Sequence, residues 1–227
     1  VVAASVLLQA LILPVAGALA DSSARKKTWL GVFAFAGAAA TMAMFWLDAP
    51  AYLAAGLVFV FANVAFGASC VVYNSFLPQI APAEARDDVS SRGWGVGYVG
   101  GGLLLALNLL LYQSAPALGL SETMAVRISL CSAGLWWALF TIIPMLWLEN
   151  PPPARKHPSG GRIFTSSLGQ LRRTVGELRR YPRTLWFLAA YLIYNDAIQA
   201  VLALATQFGH DELKMSMSSL TMAILMV

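Results

Sequence analysis

Gly17-Ala-Leu-Ala-Asp21-Ser-Ser-Ala-Arg25-Lys26-Lys27-Thr-Trp29-Leu30 is a short basic turn between two segments too apolar for a water-facing surface. Neither Val1–Ala20 before it nor Thr28–Leu47 after it contains a charged residue. About 20 apolar residues cross the roughly 30 Å hydrocarbon core of a bilayer as one helix. Two spans joined this closely form an antiparallel hairpin, with Arg25, Lys26 and Lys27 held at one membrane face.

The rest of the composition agrees. Hydrophobic residues make up 59% of the chain and charged residues 11%, against about 25% charged in a soluble domain. The reading is therefore an all-α, polytopic transmembrane helix bundle. The net charge of +4 is small, and there is no basic helix face apart from the membrane loops, so nucleic acid is not expected as a partner. Cys70 and Cys131 fall inside apolar spans without C-x-x-C spacing and read as packed free thiols. No His/Glu metal cluster and no Ser-His-Asp set stands out, so no cofactor, metal or catalytic residue is expected and the chain does not read as an enzyme. Both ends lie inside apolar segments, and an internal piece of a longer protein is expected.

Outward from the turn, further spans are expected at Ala51–Leu77, Gly93–Tyr112, Met124–Leu148 and Thr184–Ala205, and a last one begins at Ser216. Gln9 and Pro14 lie within the first span, and Trp29 and Trp46 bracket the second as interfacial aromatics do. A loop at Pro78–Arg92 and a long polar segment at Glu149–Arg183 complete the layout. Counting Lys and Arg in alternate loops puts 13 of 15 on one side, leaving Arg127 and Lys214 opposite. The basic side is the cytoplasmic one.

The long segment opens on Pro151-Pro-Pro153 and Ser159-Gly-Gly161, which break regular structure. Phe164, Leu168, Leu171, Val175 and Leu178 then share one helix face, flanked by Arg172, Arg173, Arg179 and Arg180. Two readings stay open for this amphipathic helix: it lies in the cytoplasmic lipid interface, or it packs on the cytoplasmic ends of the bundle.

Polar groups deep in the bilayer carry the most functional information. Asn63 lies about 12 residues from the outer end of its span, and Asn195 and Asp196 about 11 to 12 from the inner end of theirs, which at 1.5 Å per residue places all three near the midplane. Asn63, Gly67, Cys70 and Asn74 share one helix face, as do Tyr191, Asn195 and Gln199. Asp196 is the one ionisable side chain deep within a complete predicted span. A charge there costs at least ~2.5–3.5 kcal/mol on insertion scales, so it is expected to face a cavity or a partner. Polar contact between helices is the competing reading, and it suits Asn63 well. Gly95-Val-Gly97-Tyr-Val-Gly100 matches a dinucleotide fingerprint by letter only, since it opens a transmembrane helix with no preceding strand. Gly93, Gly97 and Gly101, four residues apart, instead suit the close approach of another helix.

The pattern G-x-x-x-D-x-x-x-R-K between two spans resembles the cytoplasmic signature joining helices 2 and 3 of the major facilitator superfamily, with Ala24 where that turn usually has glycine. A long basic linker between two blocks of spans also resembles the connection between facilitator halves. On that register residues 1–148 are helices 2 to 6, residues 149–183 the cytoplasmic linker, and residues 184–227 helix 7 and part of helix 8. A closer resemblance is to the vacuole-effluxer-like branch, related to the fungal autophagy-related protein 22. It rests on Pro14–Leu30, on Tyr73-Asn74-Ser-Phe-Leu-Pro78 through Ser90-Ser-Arg92-Gly-Trp94 to Gly100-Gly-Gly102, and on Tyr191-Leu-Ile-Tyr194-Asn195-Asp196.

The resemblance implies a secondary transporter with alternating access, effluxing a small solute, amino acids being one candidate class, and coupled to an ion or to protons. The Asn63–Asn74 and Tyr191–Gln199 faces then belong to helices 4 and 7, which line the central cavity of facilitators. Asp196 is implied as the proton-titrating or amine-binding group, with Asn63, Asn74, Tyr191, Asn195 and Gln199 as its polar company. Gly17, Asp21, Arg25 and Lys26 become a cytoplasmic latch in which Asp21 caps a neighbouring helix and pairs with a cation. The bland reading of that turn is a solvated loop. A non-transporting receptor or assembly scaffold on the same fold is the rival function. The expected setting is a monomer in a bacterial cytoplasmic membrane, with the bilayer, a small-molecule substrate and protons as partners.

Cysteines placed within residues 155–183 are expected to react with an impermeant maleimide only from the cytoplasm, and cysteines beside Asp211 only from outside. Labelling of both from one side would show that the spans are miscounted.

Overall fold

The chain is described here from a computed structural model, which covers residues 1–23, 25–47, 49–150, 176–178 and 180–226. Among these residues every regular element is helical: α1 Val2–Ser22, α2 Lys26–Ala43, α3 Tyr52–Asn74, the single turn α4 Leu77–Ile80, α5 Arg86–Ser114, α6 Glu122–Trp147, α7 Pro182–Asp211 and α8 Met217–Leu225. Short 3-10 turns at Met44–Trp46, Ala49–Ala51 and Ala83–Ala85 make the corners. Five stretches are long and apolar enough to cross a membrane: Val2–Asp21, Lys26–Trp46, Tyr52–Ile80, Ala83–Ser114 and Glu122–Trp147. They coincide with the first five expected spans. The sixth expected span falls within α7, a helix of 30 residues that is about 45 Å long and is not one of these five.

The difference from expectation is at the loop read as Pro78–Arg92. Helix α5 begins at Arg86, well inside the segment read as loop, so Pro78–Arg92 is largely helical. Pro82 takes an extended backbone (φ −63°, ψ 161°) and ends the preceding turn. Asp87 and Asp88 then occupy the first turn of α5, where the positive end of the helix dipole favours them. Arg92 closes an i,i+4 pair with Asp88 at 3.0 Å. Hydropathy reads this segment as polar, whereas local helix chemistry carries the helix through it. At the other face, Gly119 has φ +69° and lets Leu120 donate back to the Ala115 carbonyl at 2.9 Å. Ser121 then caps α6, its hydroxyl accepting from Met124 N at 3.2 Å. The amphipathic segment expected around Phe164–Leu178 lies almost wholly outside the described residues.

Helix α2 is the hub, packed between α3 and α6, with α1 on α3 and α5 on α6. Small residues permit this, because helices in lipid associate by close backbone approach rather than by burying apolar area from water. Gly37 leaves a notch filled by the Trp137 ring, which also meets Phe66 edge to face at 5.6 Å. At Gly134 an added Cβ would stand 2.7 Å from Ala38 O and 2.9 Å from Met42 N. Ala34, Ala38, Ala62, Ala65 and Ala68 are buried along the same seam. The Gly93, Gly97 and Gly101 stripe on α5, expected to serve that purpose, meets no atom within 4 Å. Outward-facing surfaces are rich in large apolar side chains, among them Trp147, Trp186, Leu192 and Ile193, as lipid or further helices require.

Gly134→Ala is expected to cost about 1–3 kcal/mol, since backbone atoms of α2 would have to move aside. The cost of Gly37→Ala should fall when combined with Trp137→Phe, because the smaller ring vacates the notch. Thermal midpoints in detergent check both, and strict additivity of the second pair would refute the notch.

Candidate functional site

The basic turn is built by two helix ends that leave backbone groups open. Helix α1 stops at Ser22, and Ser23 turns away in an extended conformation (φ −90°, ψ 136°) with its N–H on the Ala20 carbonyl. The Ser23 hydroxyl accepts from Arg25 N at 3.0 Å. Helix α2 then opens on Lys26, with no side-chain cap from Arg25. One turn below Asp21, an added Cβ at Gly17 would sit 3.1 Å from Val71 Cγ1, so the missing side chain lets α1 close on α3. The four-residue spacing puts Gly17 and Asp21 on the same helix face.

Lys26 is the centre of the arrangement. Its Nζ lies 2.7 Å from Asp21 Oδ1, with the lysine side chain only 8% exposed and the aspartate 57%. The same ammonium donates to the Ser75 carbonyl at 3.2 Å and stands 5.5 Å from the Phe76 ring centroid. Ser75 is the residue that ends α3, where carbonyls lack intrahelical partners and the dipole favours a cation. One buried charge thus ties together the ends of α1, α2 and α3. Below it lies a dry cluster of Ala20, Leu30, Val72 and Phe76, flanked by Trp29, Phe33 and Leu148. Asp21 pairs with a cation as expected, but the helix end that is closed is that of α3, and it is Lys26 rather than Asp21 that closes it. Arg25 is exposed at the rim.

Asn150 is a participant that the sequence reading missed. Its Oδ1 accepts from Lys27 N at 2.8 Å, capping α2 from the far end of α6. Asparagine is a good N-cap residue, but nothing local to Asn150 in the sequence points to a helix 123 positions away.

At mid-membrane the structure gives Asn63 definite partners. Gln9 Nε2 donates to Asn63 Oδ1 at 2.9 Å and to its carbonyl at 3.0 Å, while Asn63 Nδ2 donates to Ser5 Oγ at 2.8 Å. Ser5, fully buried, passes its own proton to the Val2 carbonyl at 2.7 Å. Gly67 leaves room for this: an added Cβ would lie 3.1 Å from Gln9 Oε1. So the α3 face read from Asn63 and Gly67 as cavity lining turns toward α1. Cys70 is half-buried and Asn74 exposed farther along. A second polar link, Ser132 Oγ to Asn108 Oδ1 at 3.0 Å, joins α5 and α6.

On α7, Tyr191 is exposed and stacks on Phe187 at 6.5 Å between centroids, and Asn195 is half-exposed. Asp196 and Gln199 lie on the same continuous helix, and their side chains fall outside the described set. Helix α7 packs on α8, and α8 on α5. Among the described residues, the hydrogen bonds of Asn63 run to α1 and none to α7. At the outer end of α7, His210 Nδ1 stands 3.0 Å from Asp211, holding that carboxyl below its ordinary range. Among the described residues no three His, Cys, Asp or Glu side chains gather as a metal site.

Comparison with known proteins follows the same lines. The chain is 28% identical over 212 residues to an uncharacterized MFS-type transporter, YxiO, of Bacillus subtilis, covering 92% of this chain and 49% of that protein. It is 28% identical over 286 aligned positions to autophagy-related protein 22-1 of Penicillium rubens, covering 95% of this chain and 48% of the relative. A similar protein of Emericella nidulans, also named autophagy-related protein 22-1, is 27% identical over 96% of this chain and 48% of its own length. The chain thus spans about half the length of the curated relatives it matches. No solved structure matches it. The sequence profile of the family described as "Vacuole effluxer Atg22 like" matches residues 1–227, and with five membrane-length apolar helices around the G-x-x-x-D turn the chain belongs to that family, a branch of the major facilitator transporters.

Proposed function

We propose that this chain is part of a secondary active transporter that moves a small solute out of the compartment holding its linker, by alternating access. The observation that carries the reading is the buried Lys26, paired with Asp21 and closing α3 at the basic membrane face. A buried charge at a helix junction makes a discrete lock, because removing the carboxylate leaves the buried ammonium without its counter-charge. Such a lock suits a bundle whose blocks must rock between two arrangements without drifting through intermediates. The distribution of Lys and Arg supports a cytoplasmic linker, and a bacterial cytoplasmic membrane is the setting we assign.

In this reading the substrate binds at the midplane between the two blocks of spans. Asp196 on α7 is the coupling group, titrating a proton or holding a substrate amine, with Asn195, Gln199 and Tyr191 beside it. Amino acids are the candidate substrate class. Asn63 acts chiefly as the clamp that aligns α1 with α3 through Gln9 and Ser5. Asn74, exposed at the inner end of α3, lies beside the exit path.

Asp196→Asn keeps the size and hydrogen-bonding capacity of the side chain and abolishes titration. In proteoliposomes it is expected to leave the fold intact and to eliminate proton-dependent solute efflux. Wild-type efflux with unchanged pH dependence would remove Asp196 from the mechanism, and absence of any solute flux in the wild type would favour a receptor or scaffold role.

The latch makes an asymmetric prediction. Lys26→Met keeps the buried stem and leaves behind only an exposed aspartate, whereas Asp21→Asn strands a buried ammonium. Asp21→Asn is expected to cost about 1–3 kcal/mol more stability than Lys26→Met. Thermal unfolding midpoints in the reverse order would show that the pair is a solvated surface contact.

A further inference from the structure

We infer that Asn150 is a positioning residue, tying the root of the 149–183 linker to the Lys26 latch through the first turn of α2. The inference rests on the latch reading of Lys26 and extends it to the linker. Helix α2 begins with Arg25 at its cap position, φ −117° and ψ 45°, and no side-chain acceptor there. The first amides of a helix have no intrahelical partner. Here Asn150 Oδ1 takes the Lys27 N–H at 2.8 Å, so the cap comes from the other end of the block.

The chain reaches that position by a defined route. Leu148 donates its N–H to the Pro144 carbonyl at 3.0 Å and then leaves α6 in an extended conformation (φ −75°, ψ 141°). Its side chain packs against the Ala20, Leu30, Val72 and Phe76 cluster, directly beneath the Lys26 ammonium. Glu149 is exposed, and Asn150 follows with its carboxamide on α2. The linker root is therefore attached at two points, an apolar plug and a helix cap. Pro151 follows Asn150, and a residue before proline is confined to extended backbone, which stiffens the attachment. Lys27, which receives the cap, adjoins Lys26, which holds Asp21 and the Ser75 carbonyl. Fraying of that first turn displaces the latch lysine.

Hydrogen exchange on the full-length protein in nanodiscs tests this without any substrate, and so stands apart from the transport assays. Asn150→Ala is expected to speed exchange of the α2 first-turn amides about fivefold, the effect of losing one ordinary N-cap. Asn150→Asp, which keeps an acceptor, is expected to stay at the wild-type rate. Lys27→Pro, which removes the donor instead, is expected to make a further Asn150→Ala change silent. Exchange over residues 71–77 should rise together with that of α2 in Asn150→Ala, because Lys26 closes that helix end, while α5 and α6 stay unchanged. Wild-type exchange in Asn150→Ala would overturn the cap. Faster exchange confined to residues 25–30 would overturn the tie to the latch, leaving the Lys26 reading itself intact. Failure of Asn150→Asp to rescue would overturn the role of the carboxamide oxygen.

Discussion

A single ammonium group decides how the first three helices meet. Lys26 is nearly inaccessible, and a cation withdrawn from water must find compensating partners or unfold its surroundings. It finds a carboxylate from α1, a terminal carbonyl from α3 and an aromatic face from Phe76. These three fix the relative height and rotation of α1, α2 and α3 at the basic end of the bundle. The apolar cluster beneath them excludes water and strengthens each contact through the low local dielectric. Farther into the bilayer the same two neighbours, α1 and α3, are clamped again by Ser5, Gln9 and Asn63. The pair is thus held at two depths by polar contacts, and Gly17 and Gly67 leave the room that Val71, Leu13 and Gln9 side chains of the facing helix occupy.

This distribution divides the block into a rigid part and an open part. Helices α1, α2, α3 and α6 share glycine notches and polar links, and Trp137 fills the gap between α2, α3 and α6. Helix α5 hangs on α6 with its glycine stripe bare, and α7 shows large apolar and polar side chains to its surroundings. A transporter that works by rocking needs one unit that moves as a body and surfaces that exchange partners. In the proposed rocking mechanism the linked helices α1, α2, α3 and α6 would move as one body, and the exposed faces of α5 and α7 would be the ones that exchange partners.

The candidate site was only partly legible from residue order. The G-x-x-x-D spacing identified Gly17 and Asp21 as partners because four residues return a helix to the same face. Which of the charges would be buried was not readable: Arg25, Lys26 and Lys27 are equivalent by composition, and burial of Lys26 alone depends on Ser75 and Phe76, half a block away. The same holds for Asn63. Its depth followed from counting residues, but whether its amide would look at a cavity or at Gln9 depended on the rotation of α3 against α1. The glycines show the converse. Gly93, Gly97 and Gly101 have the spacing of a packing face but meet no neighbour among the described residues, while Gly37 and Gly134 lack an evident repeat and make close approaches.

Residue order by itself determined that this chain crosses a membrane, most ends of its five apolar helices to within a turn or two, and the uneven division of cations between alternate loops. Those properties follow from transfer of each residue into lipid and from electrostatics across the bilayer, both of which act locally along the chain. Only the tertiary structure decided which polar group meets which: the carboxamide of Asn150 on α2, the ammonium of Lys26 on α3, the amide of Asn63 on α1. Those pairings depend on helix rotation and separation, which are set by small side chains and buried groups on several helices at once.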